Sequence, residues 1–325
     1  MKISIIILSF NNYLDTTGQC LAALSADPDF EEWEVIVVDN ASDAETRQKL
    51  EDAKHLYPGV RFIFNPGNVG FAAGNNIGIK LATGDIFILL NSDAFPTPGM
   101  LALLVEHFAR DERLGMVGPV TNAAGNEQCI YTKTCNMEDK IQEGLLYASS
   151  GGSETLSAYR LDFLCVAIPA RVCRLVGCLD EDFGRGYYED LDYSLRVKAA
   201  GYRLGVAEDT FVYHRGSSSF GKIPSETKAL LKRNKRLVIK KHGNGVIFQH
   251  VRQANLAILS QYLDRQTTGI ELPSYRISNR LQLAHSGLPR SWFKRWRYLR
   301  LLSNVEKRFT GILDTHLIET SRSTT

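Results

Sequence analysis

The apolar positions of the N-terminal third fall into short unbroken runs, divided by polar stretches with helical spacing. Ile3-Ser4-Ile5-Ile6-Ile7-Leu8 and Val35-Ile36-Val37-Val38 are two such runs, and residues 60–64 and 86–90 are two more. Each has strand length without alternation, the pattern of a strand buried on both faces of a parallel sheet. Residues 14–24, 42–54 and 76–82 carry helix-like patterns between them, so strand and helix alternate as in βαβ units. The pattern predicts an α/β fold with a mostly parallel central sheet flanked by helices. In open sheets of this kind ligands sit outside the carboxyl ends of the strands. Those ends carry Ser9, Asn11 and Asn12, then Asp39 and Asn40, then Asn91, Ser92 and Asp93. Asx residues also make good turns, but three polar clusters on one edge point to a crevice shared by Asp39 and Asp93.

Residues 65–76 are glycine-rich and match neither G-x-G-x-x-G nor the Walker-A loop. They read either as a tight loop opening a helix or as backbone that approaches a ligand. Residues 121–160 are polar with little periodicity, which predicts a loop-rich excursion over the sheet. After an apolar run at 161–168 the chain places six acids within residues 180–192, among glycines and aromatics. Leu191, Leu195 and Val197 have helical spacing, which puts Glu189 and Asp190 at a helix start. There the helix dipole favours carboxylates, so a capped first turn and a catalytic pair are both open readings.

Composition is that of an ordinary globular chain: 325 residues, 44% hydrophobic and 23% charged, with a net charge of +2. That figure hides an asymmetry. Residues 1–221 carry 18 Lys and Arg against 30 Asp and Glu, whereas residues 222–325 carry 20 against 6. The division suggests a catalytic domain over 1–221 and a basic, mainly helical extension over 222–325. Trp292, Trp296 and Leu299 share one helical stripe in that extension, flanked by Lys294, Arg295, Arg297 and Arg300. Such a stripe suits a helix lying at an anionic membrane surface, or else it packs on the body with its cations solvated. No nucleic-acid motif accompanies the charge, so no nucleic-acid partner is expected. No apolar run approaches the ~18–20 residues of a membrane span, and the N-terminal run reads as a strand rather than a signal peptide. The six cysteines form no CxxC pair and read as reduced thiols, which places the protein in the cytoplasm, peripheral to the inner face of the membrane where the tail engages it.

The order of the motifs resembles a known family. It runs from Ser9-Phe10-Asn11 through Val37-Val38-Asp39-Asn40 and Asn68-Val69-Gly70-Phe71, with Gly74-Asn75-Asn76, to Asn91-Ser92-Asp93. Tyr188-Glu189-Asp190-Leu191-Asp192 and Val212-Tyr213-His214 complete the series, which extends through Asn234 to Gly243. Together they resemble inverting glycosyltransferases of family 2 with the GT-A fold, and among them the bacterial rhamnosyltransferase-like members.

That resemblance implies a UDP- or dTDP-sugar donor, with dTDP-rhamnose first, and a saccharide or lipid-linked acceptor. It implies that Ser9, Asn11, Gly70, Asn75 and Ser92 line the donor pocket, with Asp39 accepting from N3–H of uracil or thymine. Asn91-Ser92-Asp93 stands where the family has its acidic D-x-D motif. Only the last carboxylate remains, so Asp93, with His214, would bind Mn2+ or Mg2+, and Arg215 would reach the diphosphate. The Gly/Ser loop at 216–219 would close as a lid. Asp190 matches the catalytic base, with Glu189 in support and Asp192 as a further competitor. A sugar nucleotidyltransferase and a non-catalytic module with a degenerate site are the rival readings. The first lacks its basic, glycine-rich signature after the first strand, and the second draws on Asn91.

Overall fold

Strands that are apolar on both faces find their partners only inside a helix-covered sheet, and three of the four N-terminal runs do so, while the run at 60–64 forms the partly exposed sheet edge. The computed structural model describes residues 1–216, 225–267 and 273–322. β1 (Ile3–Ser9), β2 (Glu34–Asp39), β3 (Arg61–Phe64) and β4 (Ile86–Asn91) pair in parallel in the order β3-β2-β1-β4. α1 (Thr17–Ser25), α2 (Ala44–Leu56) and α3 (Phe71–Leu81) connect them. Asp43 caps α2 by accepting from the Thr46 amide at 2.8 Å. Of the glycines in residues 65–76, Gly74 serves packing on the sheet: a Cβ there would lie 2.4 Å from the Leu8 side chain, so its absence seats α3 on β1.

β5 (Ala94–Pro96), α4 (Met100–Arg110) and β6 (Leu114–Thr121) follow. The excursion is less loop-like than its composition suggests, because it holds α5 (Met137–Ser149) and β7 (Thr155–Ser157). Asn136 caps α5 by accepting from the Asp139 amide, a start signal that the weak periodicity concealed. β8 (Cys165–Pro169), α6 (Ala170–Val176), α7 (Glu189–Ala199) and β9 (Arg203–His214) complete the body. The sheet runs β3-β2-β1-β4-β8-β6-β9-β5, with β7 on β9. Beyond β4 it is mixed: β8 is antiparallel to both β4 and β6, and β5 and β7 are antiparallel to β9. The parallel pattern breaks at β8, which enters antiparallel between β4 and β6, and resumes where β6 pairs in parallel with β9.

The extension is helical as expected: α8 (Ser225–His242), α9 (Val251–Thr267), α10 (Ser274–Ser286) and α11 (Trp292–Arg322). Ile258, Leu259, Tyr262, Ile277, Tyr298, Leu302 and Phe309 form a second core that takes in Leu156 of β7. A buried ionic knot ties it to the body. Glu208 of β9 accepts from Arg280 Nη2 at 2.9 Å and Tyr262 Oη at 2.6 Å, with Tyr147 of α5 alongside. The Trp stripe is not the packing face. Trp292 is 79% and Trp296 50% exposed, while Tyr298, Leu302 and Phe309 point inward.

Candidate active site

Parallel register brings the strand ends together: Ser9 lies beside Asp39 and Leu8 beside Asn91. Asp39 is 1% exposed. Its Oδ1 accepts from the Ser42 amide at 3.2 Å, and its Oδ2 is buried without a hydrogen-bond partner among the described residues. A buried acceptor left so is unusual in a folded protein and suits a donor from a ligand. Asn11, at φ 56°, accepts through its side chain from the Asp43 amide at 2.8 Å, while its backbone amide donates to Ser42 Oγ. The other donor-side candidates are turned to the protein. The Ser9 hydroxyl is buried against Thr17 Oγ1 at 2.7 Å, and Asn75 donates to the Phe71 carbonyl within α3. Gly70, at φ 87°, faces the Gly184 carbonyl so closely that a Cβ would lie 2.1 Å from it.

A second group forms where β5 meets β9. Ala94 is in register with His214, so Asp93 and His214 adjoin. His214 Nε2 lies 3.4 Å from Asp93 Oδ1, and its Nδ1 lies 2.8 Å from the Ala123 carbonyl. A carbonyl only accepts, so Nδ1 carries the proton and Nε2 is turned to Asp93. Burial works against the imidazolium, but the hydrogen bond and charge of Asp93 outweigh it and raise the His214 pKa. Arg215 takes another course: its Nη1 donates to the Asp15 carbonyl at 3.0 Å and pairs with the Asp15 carboxylate. Ser92 follows β4 directly, partly exposed. Gly216 borders the cleft described next, but Ser217 to Ser219 of the expected lid lie outside the described residues. No group of three or more His, Cys, Asp or Glu side chains is placed to hold a metal ion among the described residues, so Asp93 and His214 stand as a pair.

The acids are on α7. Tyr187 and Tyr188, at φ 71° and 78°, turn the chain sharply into it. Glu189 is 7% exposed and its Oε2 has no partner among the described residues. Burial, then the neighbouring Asp190 charge, pushes its pKa up to about 8. Asp190 accepts from its neighbour's amide at Leu191 and pairs through Oδ2 with Arg160 Nη1 at 2.8 Å. Burial pushes it up to about 6, with Asp162 adding to the effect and Arg160 opposing it. Asp192 is excluded from this group. It is buried beneath α7, held by Arg196 Nε at 2.8 Å and His242 Nε2 at 2.7 Å.

One cleft of about 950 Å³ joins the two groups. His214 and Asn91 line one part of it and Glu189 and Asp190 another, with Phe71 and Phe248 among its aromatic walls. Three features escaped the sequence reading: Arg160 at the end of the excursion, Asp162 just beyond it, and residues 247–250 of the extension. Arg160-Leu161-Asp162 does carry a signal, since period-two spacing before a strand sets its two charges on one face.

A parallel edge with polar strand ends and a mixed outer sheet match the GT-A class of fold. Residues 4–150, a little under half of the chain, match the family model described as Glycosyl transferase family 2. A Bacillus subtilis protein described as an uncharacterized glycosyltransferase is 32% identical over 118 residues, 36% of this chain and 30% of its own length. An uncharacterized Mycobacterium tuberculosis protein is 28% identical over 207 residues, 60% of this chain and 68% of its own. The chain thus spans under a third of the Bacillus relative and about two thirds of the mycobacterial one. Two solved structures share the fold. A GalNAc-T structure with UDP, GalNAc and Mn2+ aligns at TM-score 0.59 and 15% identity, over 82% of this chain and 51% of that one. The mannosyltransferase PcManGT from Pyrobaculum calidifontis, with GDP-Man and Mn2+, aligns at 0.52 and 16%, over 93% and 86%.

Proposed function

We propose that the protein transfers a sugar from a UDP- or dTDP-sugar, dTDP-rhamnose first, to a hydroxyl of a saccharide or lipid-linked acceptor by a single inverting displacement. The observation that carries this reading is the single cleft holding His214, beside Asp93, together with Asp190. Asp39 Oδ2 would accept from N3–H of uracil or thymine. The pair Asp93 and His214 fits a divalent cation, Mn2+ or Mg2+, because the Ala123 carbonyl fixes the proton on Nδ1 and leaves Nε2 free to ligate. Phosphate oxygens and water would supply the remaining positions such an ion needs. Once bound, the cation would offset charge on the departing nucleotide diphosphate.

The chain's own part is positioning and one proton. Asp190 takes the proton of the acceptor hydroxyl as its oxygen bonds to the anomeric carbon and the carbon–oxygen bond to the diphosphate breaks. Of the two acids, Asp190 pairs with Arg160, which favours its ionised form, whereas burial and an unpartnered oxygen favour the protonated form of Glu189, so Asp190 is the one placed to act as base near neutrality. Arg160 orients the Asp190 carboxylate. Aromatic faces at Phe71, Tyr187 and Phe248 suit sugar rings in the same cleft. Residues 1–221 supply donor, metal and base groups in this reading, and 222–325 close the acceptor wall. We further propose that the exposed Trp292/Trp296 face of α11 rests on the inner face of the cell membrane, which would bring a lipid-linked acceptor within reach.

A thermal-shift panel of sugar nucleotides with and without Mn2+ tests the donor. UDP- or dTDP-sugars should raise the melting temperature and GDP-sugars should not, because a ligand that binds only the folded state stabilises it in proportion to occupancy. A purine preference would overturn the Asp39 assignment. Asp190→Asn should cut nucleotide release by roughly 10²–10⁴-fold, and unchanged turnover would remove Asp190 as base.

A further inference from the structure

The turn that delivers Glu189 and Asp190 to the cleft has a demanding backbone. Gly184, Gly186, Tyr187 and Tyr188 all have positive φ, at 67°, 139°, 71° and 78°. Glycine adopts such angles readily, but tyrosine does so only where its surroundings impose them. On one side the turn abuts Gly70, whose carbonyl accepts from the Asn40 side chain at 3.2 Å, next to Asp39. On the other side lies α8. Asn234 of α8, 0% exposed, aims its Nδ2 at three carbonyls of the turn. They are those of Phe183 at 2.8 Å, Gly186 at 2.8 Å and Tyr187 at 3.1 Å. Its Oδ1 accepts from Arg233 Nη1 at 2.8 Å, which fixes the amide in the donating orientation.

We infer that Asn234 is a positioning residue for the transfer: by holding these carbonyls it imposes the left-handed run at 186–188 and sets where Asp190 stands relative to the donor. The proposal rests on the glycosyltransferase reading above. Asn234 touches neither substrate in that reading, because its amide is fully engaged by the turn. No other side chain of similar size substitutes well. Aspartate would set a carboxylate against three carbonyls, leucine has no donor, and glutamine is one methylene too long for a site with no exposed surface.

The consequence is a split between binding and chemistry. The donor contacts at Asp39 and Asp93 belong to other elements, whereas the base depends on the turn. A displacement of the reacting group by about 1 Å is enough to cost roughly 100-fold in rate. Asn234→Ala and Asn234→Asp should therefore lower kcat by about 100-fold while donor affinity, read by calorimetry with Mn2+ present, stays within about threefold. Backbone amides of residues 184–190 should exchange hydrogen faster in both variants. Leu302→Ala, in the second core and away from the cleft, supplies a control of matched thermal destabilisation and should keep the wild-type kcat. If the Asn234 variants retain kcat while folded, the positioning role is wrong. If Leu302→Ala loses as much kcat as they do, the effect is general destabilisation and the role is equally wrong. Failure of the wild-type protein to bind or turn over any sugar nucleotide would instead overturn the glycosyltransferase reading itself.

Discussion

A carboxylate that must take a proton near neutral pH has to be ionised yet reluctant to be, and burial supplies that reluctance. Asp190, pushed up to about 6, meets the condition, while Glu189, pushed up to about 8, does not. The rate should follow: kcat/KM should climb with pH through about 6 and flatten above it, in a pH–rate profile measured at saturating metal. Stability should move the other way. Both acids hold their protons to higher pH in the folded chain than in the unfolded one, where carboxyls titrate near ~4. Between there and about 8 the folded state binds more protons, so stability falls as pH rises. Glu189→Gln removes the larger part of that slope and should raise the melting temperature at pH 8 but not at pH 4, by differential scanning calorimetry. Asp39 offers a third residue-scale check. A hydrogen bond to a charged acceptor is worth about 1.5–3 kcal/mol, so Asp39→Ala should weaken UDP binding by about 10–100-fold in a calorimetric titration.

At the scale of elements, what could be read in advance was whatever the chain encodes locally. The unbroken apolar runs became β1 to β4, and the Asx residues after them came to rest on one edge because parallel register leaves no alternative. The acid-rich helix start at Glu189 was legible for the same reason. What escaped depends on long-range contact. Arg160 becomes part of the site only because β8 returns beside β4, and Phe248 only because α8 turns the chain back over α7. Gly70, which the family resemblance implies for the donor pocket, also admits the Gly184 carbonyl, a contact that only the fold reveals. An added methyl there would meet that oxygen at a backbone angle few side chains accept. Gly70→Ala should accordingly cost about 1–3 kcal/mol in urea denaturation, and it should slow turnover by disturbing the turn from the side opposite Asn234.

For the whole molecule, the acidic body and basic extension prove to be partly a single electrostatic assembly. Lys241 of α8 pairs with Asp180 and Asp182, His242 with Asp192, and Arg276 and Arg280 with Glu208. These basic side chains answer acids that the fold itself buries or crowds. The outer face of α11 is different. Trp292, Phe293, Trp296 and Leu301 stand exposed among Lys294, Arg295, Arg297 and Arg300, while its one acid among the described side chains, Glu306, pairs with His285 at 2.6 Å. Arg300 lies over the Trp296 ring and Arg297 over Phe293, so cation and aromatic alternate on one surface. No helix among the described residues is long and apolar enough to cross a membrane. A surface of this composition favours the headgroup layer, where indole rings sit at the interface and each Lys or Arg near anionic lipid contributes about 1 kcal/mol. The protein should therefore sediment with vesicles containing phosphatidylglycerol but not with purely zwitterionic ones, and salt should release it. Trp292→Ala combined with Trp296→Ala should abolish most of that binding without altering turnover of a soluble acceptor, since neither residue borders the cleft. Equal binding to both kinds of vesicle, or binding that survives the double substitution, would show that α11 does not make this contact.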